Sequence, residues 1–476
     1  MTGADFAVDD QDAVIDFLSR PESYGLCKNE IERIETHCSI VFLAAGRAYK
    51  LKRAIRYASL DYTTHASRLA ACQAELVLNR RTAPELYLGV RSINRDEHGA
   101  FAFDGPGTAL DYVVVMRRFA QSDLFDHMAD SGRLTPELMH ALGEAVGRLH
   151  VTAEPTPSCG GSDAIRSVIA DNDRELAKVA VELDGTAVGT LSSRSRRTLG
   201  GLVGLLDQRR TDGKVRRGHG DLRLANICLY GGRPTLFDCI EFSDEIGCID
   251  VLYDLAFLLM DLQLRGRGDL GNVVFNAYLD LVPEAEGLRT LPLFLALRAA
   301  TRSYALAGSA RRRASPREAA RLLAQARRHI DAGIKFLAPT RPQLIVLGGD
   351  EEQGRAELAD AIAALTPPAP GARVFHRALS DEAVWRETSG VLTAGCSGMV
   401  EGELATQAAE TAAVELAARL GVRLLAFWRG SLPASLDPRL WRTLDVSQGN
   451  LVALARVVPV VTGATMQDRE HTASPT

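Results

Sequence analysis

The stretch His219-Gly220-Asp221-Leu222-Arg223-Leu224-Ala225-Asn226-Ile227-Cys228-Leu229 decides how this 476-residue chain is read. Twelve residues past Asn226 stands Asp238, in Leu236-Phe237-Asp238-Cys239-Ile240-Glu241-Phe242, beyond a Gly231-Gly232 turn. Asp221 and Asn226 share one tight loop, so a carboxylate and a carboxamide can point into the same cleft. Asp238, at the end of the next short strand, can meet them from the side. An isolated Asp in a loop is ordinarily a turn or cap residue. Here His-Gly-Asp, Asn, an apolar strand, a glycine turn and a strand ending in Asp follow in a single order. That order suits phosphoryl transfer to a hydroxyl. Such chemistry needs a carboxylate to orient the nucleophile and take its proton late, and a carboxamide with a second carboxylate to hold magnesium on the phosphates. Asp221 is the candidate proton acceptor, and Asn226 and Asp238 are the candidate magnesium ligands.

Outward from this island the pattern is mainly helical. Helices are expected over Pro136 to His150, Ala164 to Leu183, Ser193 to Arg209, Val251 to Leu262, Leu293 to Ala307 and Pro316 to Phe336. Upstream the period changes. A helix from about Gln11 to Ser19, capped by Asp9 or Asp10, precedes strands at Ser39 to Leu43 and Ala48 to Arg53. A helix from Thr64 to Arg81 follows, then strands at Tyr87 to Ile93 and Tyr112 to Met116. Ala338-Pro339-Thr340-Arg341-Pro342 reads as a linker. After it, Gln343 to Gly349 is a buried-strand signal, and helix and strand alternate to about Val461.

The segment from His219 to Leu262 resembles the catalytic segment of the aminoglycoside phosphotransferase-like, or choline kinase-like, small-molecule kinases, in which His-Gly-Asp replaces the His-Arg-Asp of protein kinases. Asp250-Val-Leu-Tyr-Asp254-Leu-Ala continues the likeness. On this resemblance Asp250 caps its helix, Asp254 braces the catalytic loop, and His219 fixes that loop instead of acting as a base. The resemblance further implies an N-terminal lobe with a strand lysine and a helix glutamate. Lys50 or Lys52, on one strand face, would pair with Glu75 and hold the ATP phosphates, the family position leaning to Lys52. A solvated edge strand is the other reading of one of these lysines. Ser39, in Glu35-Thr36-His37-Cys38-Ser39, stands where a glycine loop would cover phosphates, and Met116 begins the segment whose backbone would meet adenine.

The composite of a kinase-like half and a P-loop half resembles the bifunctional aminoglycoside phosphotransferase/ATP-binding group. Gly349-Asp350-Glu351-Glu352-Gln353-Gly354-Arg355-Ala356 keeps the P-loop's glycine spacing. Arg355 replaces its lysine, however, and Ala356 its magnesium-binding hydroxyl. Asp350, Glu351 and Glu352 put negative charge where phosphates should sit. An ordinary loop-to-helix turn explains the same residues. The expected fold is an α+β protein-kinase-like bilobal domain followed by a smaller α/β P-loop-like domain. Its parts are an N-terminal helix (1–25), a kinase-like N-lobe (26–120), a helical C-lobe carrying the catalytic loop (121–338), a degenerate P-loop-like domain (341–465) and a disordered tail (466–476).

Composition sets the outer bounds. Hydrophobic residues at 46% and charged residues at 24% exclude a mostly disordered chain. A net charge of −5 favours neither nucleic acid nor an anionic membrane as partner. Eight cysteines without metal-site spacing read as reduced, mostly buried thiols, and the start lacks a secretion signal, so a cytoplasmic protein is expected. Arg209, Arg210, Lys214, Arg216 and Arg217 read as a solvated basic face. The leading expectation is an ATP- and magnesium-dependent phosphotransferase acting on a small-molecule hydroxyl, in a family whose acceptors include aminoglycosides, choline and sugars. The alternative is a non-catalytic, nucleotide-binding pseudokinase or scaffold, favoured by the degenerate P-loop and opposed by the intact Asp221, Asn226 and Asp238 set. A protein kinase fits poorly, because no Ala-Pro-Glu segment follows Asp238.

Overall fold

A computed structural model describes residues 11–27, 31–57, 60–313, 315–349, 352–376, 382–402, 406–445 and 449–462. The candidate caps Asp9 and Asp10, the acidic pair Asp350-Glu351 and the tail from Met466 lie outside the described residues. The chain partitions into two compact units. One holds the residues up to Arg133, with Thr152–Glu154 and Arg216–Ile249; the other holds Leu134–Val151, Pro155–Val215 and the chain from Asp250.

Among the described residues of the first unit, six antiparallel strands form one sheet. Their order across it is Glu32–Glu35, Ser39–Ala44, Arg47–Lys52, Thr108–Arg117, Tyr87–Arg95 and Phe101–Phe103. Alternation along the strands sorts its two faces. Ile40, Phe42, Tyr49 and Leu51 join Val113 and Val115 in a core completed by Val14 and Leu18 of the helix Asp12–Leu18. On the opposite face Leu43, Ala48, Val114 and Met116 pack with Cys72 of the helix His65–Asn79. Thr64 and Ser67 close a capping box at that helix's start. Lys50 and Lys52 share the parity of Ala48, so they leave the strand on the helix side.

The second unit begins as a helical bundle. Two expectations are corrected there. The single helix expected over Ser193 to Arg209 is two, Gly185–Gly200 and Val203–Thr211. Adjacent glycines at 200 and 201 explain the break, since each costs a helix interior about 1 kcal/mol relative to Ala. The basic face is not uniformly solvated either, because Arg209 is 3% exposed. Its Nε and Nη2 donate to Asp250 at 2.7 and 2.8 Å, and its Nη1 donates to Glu284 at 2.6 Å. Arg209 follows Leu206 by three residues on the buried stripe of its helix, and that placement outweighs its charge. The helix Gly268–Leu281, which the sequence reading passed over, lies in the same unit.

A five-stranded, all-parallel sheet completes this unit. Its order is Arg373–His376, Gly398–Glu401, Gln343–Gly349, Arg423–Arg429 and Trp441–Leu444, with the first strand of the sequence in the middle. Central position explains why every residue of Gln343–Gly349 is buried. The domain is seated on the helix Gly268–Leu281. Asn272 Nδ2 donates to the Ala372 carbonyl at 3.0 Å, the Val374 amide donates to Asn276 Oδ1 at 2.8 Å, and Arg373 pairs with Asp280 at 2.6 Å. The fold class is therefore the expected one, a protein-kinase-like α+β fold followed by a smaller parallel α/β domain.

Past the central strand, Arg355 turns inward. Its Nε meets Glu401 at 2.5 Å and its Nη1 donates to the carbonyl of Gly349. Glu401 also holds His376 Nδ1 at 2.9 Å, and His376 Nε2 lies 3.4 Å from Asp360. Hydrogen bonds to Asp360 and Glu401 raise the His376 pKa to about 9 against the opposing effect of burial. A folded-state value above the ordinary 6.5 means a stabilisation fully present below pH 6.5 and lost as pH rises through about 9. All three tryptophans (385, 428 and 441) lie in this domain, so their fluorescence reports its unfolding. The urea midpoint is expected to fall between pH 6.5 and 9 in the wild type, and to be flat over that interval in His376→Asn.

Candidate active site

The loop from His219 is built around a glycine in a left-handed turn. Gly220 has φ +85°, and a Cβ there would lie 2.9 Å from Ile240 Cγ1. His219, wholly buried, donates from Nε2 to the Phe237 carbonyl at 2.9 Å, and its own carbonyl accepts from the Ile240 amide at 2.9 Å. The Phe237 amide donates to the Asn226 carbonyl at 3.0 Å. The two halves of the motif, though separated by a hairpin, are thus stitched side by side. Asn226 turns its Nδ2 onto the Asp221 carbonyl and Oδ2, both at 2.8 Å. Burial pushes the Asp221 carboxyl up. The Arg223 guanidinium beside it, with smaller help from His219 and Asn226, more than reverses this and holds it well below the usual carboxylate range.

Asp238 adopts φ +62°, a left-handed conformation that Asp tolerates better than most residues. The turn is held from the sheet and helix side. The Asp238 amide donates to Tyr87 Oη at 3.1 Å, and the Cys239 amide donates to Asn79 Oδ1 at 2.9 Å. Asp238 Oδ1 then meets Lys50 Nζ at 2.5 Å. Lys50 also reaches Glu75 Oε1 at 2.9 Å, while Lys52 takes Glu75 Oε2 at 2.6 Å and pairs with Glu241. Both lysines therefore share one glutamate, an oxygen each. Burial raises the Glu75 pKa, but the two ammonium groups outweigh it and bring it down to about 2. Tyr62 Oη donates to Glu241 at 2.5 Å and completes this buried set.

These groups open onto a cavity of about 510 Å³. Apolar walls come from Ile34, Val41, Ala48, Met116 and Phe237, and polar ones from Lys50, Asp221, Asn226 and Asp238. Ser39, also in the lining, ends a tight turn in which its amide donates to Thr36 Oγ1 at 3.0 Å. Of the residues singled out from sequence, Ser39, Lys50, Lys52, Met116, Asp221, Asn226 and Asp238 line this one cavity, with Glu75 bonded to the lysines and His219 beneath the loop. Asp250 and Asp254 belong to the other unit. There Asp250 caps the helix Val251–Leu264 by accepting from the Leu252 amide. Asp254, fully buried, holds His150 Nε2 at 3.2 Å, and His150 Nδ1 lies 3.1 Å from Tyr278 Oη.

The model of the phosphotransferase enzyme family matches residues 95–291, a span containing Asp221, Asn226 and Asp238. An uncharacterized protein of Mycobacterium tuberculosis is 30% identical over 370 residues, covering 76% of this chain and 71% of its own, and one from Mycobacterium bovis matches equally. The chain belongs to the phosphotransferase enzyme family. Among solved structures it is similar to a choline/ethanolamine kinase family protein from Mesorhizobium loti, at 14% identity and TM-score 0.38, over 69% of this chain and 98% of that one. It is also similar to an amicoumacin kinase at 15% identity and TM-score 0.40, over 68% and 94%.

Several residues around this phosphotransferase's cavity are absent from the sequence reading: Arg223, Glu241, Tyr62 and Tyr87 in its lining, and buried Asn79, outside the lining, on the Cys239 amide. For Glu241 a signal existed. Two lysines on one buried strand face need more than one acid, and Glu241 stands three residues past Asp238. Tyr87 and Asn79 act through single hydrogen bonds to backbone amides, which no spacing announces. Among the described residues no three His, Cys, Asp or Glu side chains are grouped to hold a metal ion. Asn226 and Asp238 nevertheless offer hard oxygen donors on adjoining segments, a partial set that suits magnesium, which keeps waters and phosphate oxygens as its other ligands. No helix of the described residues is long and apolar enough to cross a membrane.

Proposed function

We propose that this phosphotransferase moves the γ-phosphoryl group of ATP to a hydroxyl of a small molecule, with magnesium. The observation that supports it most is the convergence of Asp221, Asn226, Asp238 and Lys50 on one cavity with an apolar end. Adenine would lie among Val41, Ala48 and Met116, near the backbone that follows Met116. Lys50 is the better phosphate ligand of the two lysines, because its side chain is 12% exposed and bonds both Glu75 and Asp238. Lys52, 1% exposed, is committed to Glu75 and Glu241. Asn226 Oδ1 and Asp238 would hold magnesium, which when bound offsets the charge of the phosphate oxygens. Asp221 orients the acceptor hydroxyl. As the acceptor oxygen bonds to Pγ, the bond from Pγ to the β,γ-bridging oxygen breaks, ADP leaves with that electron pair, and the hydroxyl proton passes to Asp221. A carboxylate held so far below its usual range is a weak base, which fits a proton that moves late.

The domain boundaries proposed with this reading are kinase-like lobes over 26–120 and 121–338 and a further domain over 341–465, whereas by compactness Arg216–Ile249 groups with the first lobe and the sheet after the linker with the helices. In that last domain Arg355 is engaged by Glu401 and the Gly349 carbonyl, and this supports a P-loop-like turn closed to nucleotide. Asp238→Ala provides the test of the main reading. Calorimetry is expected to show magnesium-ATP binding weakened roughly 10- to 100-fold, equivalent to about 1.4–2.8 kcal/mol, with metal-free ATP little affected. Wild-type magnesium-ATP affinity in Asp238→Ala would remove Asp238 from the metal site.

A further inference from the structure

A second cavity, of about 450 Å³, lies within the other unit and shares no lining residue with the first. That volume is in the range of small-molecule sites. Its apolar walls come from separate stretches of chain. Pro292 and Leu295 belong to the helix Leu291–Arg311, Phe336 ends the helix Pro316–Phe336, and Pro367 and Pro368 follow the helix Glu352–Leu365. Prolines have no amide N–H, so these walls supply contact surface with few donors. The charged groups of the lining are Arg328, Asp331 and Lys335, all on the helix Pro316–Phe336. Separations of three, four and seven put them on one helix face, away from the stripe Leu322, Ala326 and Ile330 that packs in the bundle. Neighbouring Arg327 is engaged, donating to the Glu182 carbonyl at 2.7 Å. Arg328 and Lys335 form no ion pair or side-chain hydrogen bond with Asp331 or any other described residue.

We propose that this cavity binds a small organic anion, its carboxylate or phosphate held by Arg328 and Lys335 and its apolar, ring-sized body lodged against Leu295, Phe336 and the prolines. Unpaired cations on a helix are ordinarily just solvated. These two differ in lining an apolar cavity, with one positive charge in excess over Asp331. A guanidinium meets two oxygens of either head group, and the ammonium adds a point charge one to two turns away. Neutral ligands would leave both cations unanswered, and purely inorganic anions would leave the apolar walls wet. A ligand seated there touches the helical bundle and the loop of the parallel domain together, because Pro367 and Pro368 lie beyond the linker. The site is independent of the nucleotide reading of the first cavity.

Calorimetry of the full chain at low ionic strength, with 2-naphthoate and 2-naphthyl phosphate as probes, tests this. At least one probe is expected to bind with a dissociation constant below about 1 mM, and the one that binds identifies the head group. Its neutral counterpart, 2-naphthalenemethanol, is expected to bind roughly 10-fold or more weakly. Arg328→Gln combined with Lys335→Gln is expected to weaken the anion roughly 10-fold or more. Ala332→Trp, which fills the cavity from the same helix, is expected to abolish binding. Arg328 and Lys335 are exposed, so the double variant keeps the fold and decides the matter if Ala332→Trp does not fold. Three results each overturn the proposal: neither anion binds the wild type, the neutral compound binds as tightly as the anions, or the double variant keeps wild-type affinity, which would put the anion elsewhere on the protein.

Discussion

Asp221→Asn is expected to slow phosphoryl transfer by about 10²- to 10⁴-fold, the usual weight of a general base, while magnesium-ATP binds within about threefold of wild type. The reason lies in how the loop divides its work. Asp221 makes no bond to Lys50 or Asp238 in the contacts described above, and its one side-chain bond to the metal side, from Asn226 Nδ2, is backed by a bond from the same Nδ2 to the Asp221 carbonyl, which the substitution leaves in place. Asparagine keeps the side chain's shape and one acceptor oxygen, and the Gly220 turn and the His219 to Phe237 bond do not depend on it. Single-turnover transfer measured beside calorimetry distinguishes this outcome from general damage to the site, which would lower both quantities together.

The second large effect is on stability. Glu75→Ala is expected to cost about 3–5 kcal/mol, the range for removing one partner of a buried ion pair. Glu75 is wholly buried and answers two ammonium groups, Lys50 at 2.9 Å and Lys52 at 2.6 Å. Each lysine retains a second acid, Asp238 and Glu241 respectively, which places the loss toward the lower end. The Glu75 contribution has a defined pH window. Its folded-state pKa of about 2 lies below the ordinary 4.5, so the stabilisation is present above pH 4.5 and lost as pH falls toward 2. Far-UV circular dichroism in urea is the right probe, because the tryptophans all lie after the linker and are blind to this unit. A loss below about 1 kcal/mol would show that Asp238 and Glu241 suffice to hold both lysines.

The convergence of Asp221, Asn226 and Asp238 on one cavity was the readable part of this site, because few residue types at fixed separations, in a single order, mark that segment. The strand period placed four of the six described strands of the first unit's sheet, since Ile40, Phe42, Tyr49 and Leu51 alternate cleanly with the opposite face, and missed the two short edge strands Glu32–Glu35 and Phe101–Phe103. Periodicity could not choose between Lys50 and Lys52, because residues two apart on a strand share a face by construction. Depth of burial differs between them, and depth depends on what arrives from Glu75, Asp238 and Glu241. Arg209 was misjudged for a related reason. A cluster of basic letters reads as a solvated face, but which member points inward is set by helix phase and by the distant acids Asp250 and Glu284. Arg223 carries no such signal in the sequence, because a partner two residues away has no periodic signature.

ADP formation from magnesium-ATP across a panel of hydroxyl compounds, wild type beside Asp221→Asn, tests the central claim most directly. The account predicts that at least one small-molecule alcohol raises ADP production above the water background, with stoichiometric phosphorylated product, and that Asp221→Asn loses that increment. Magnesium-ATP binding without turnover on any acceptor, unchanged by Asp221→Asn, would contradict it and leave a nucleotide-binding protein without transfer chemistry.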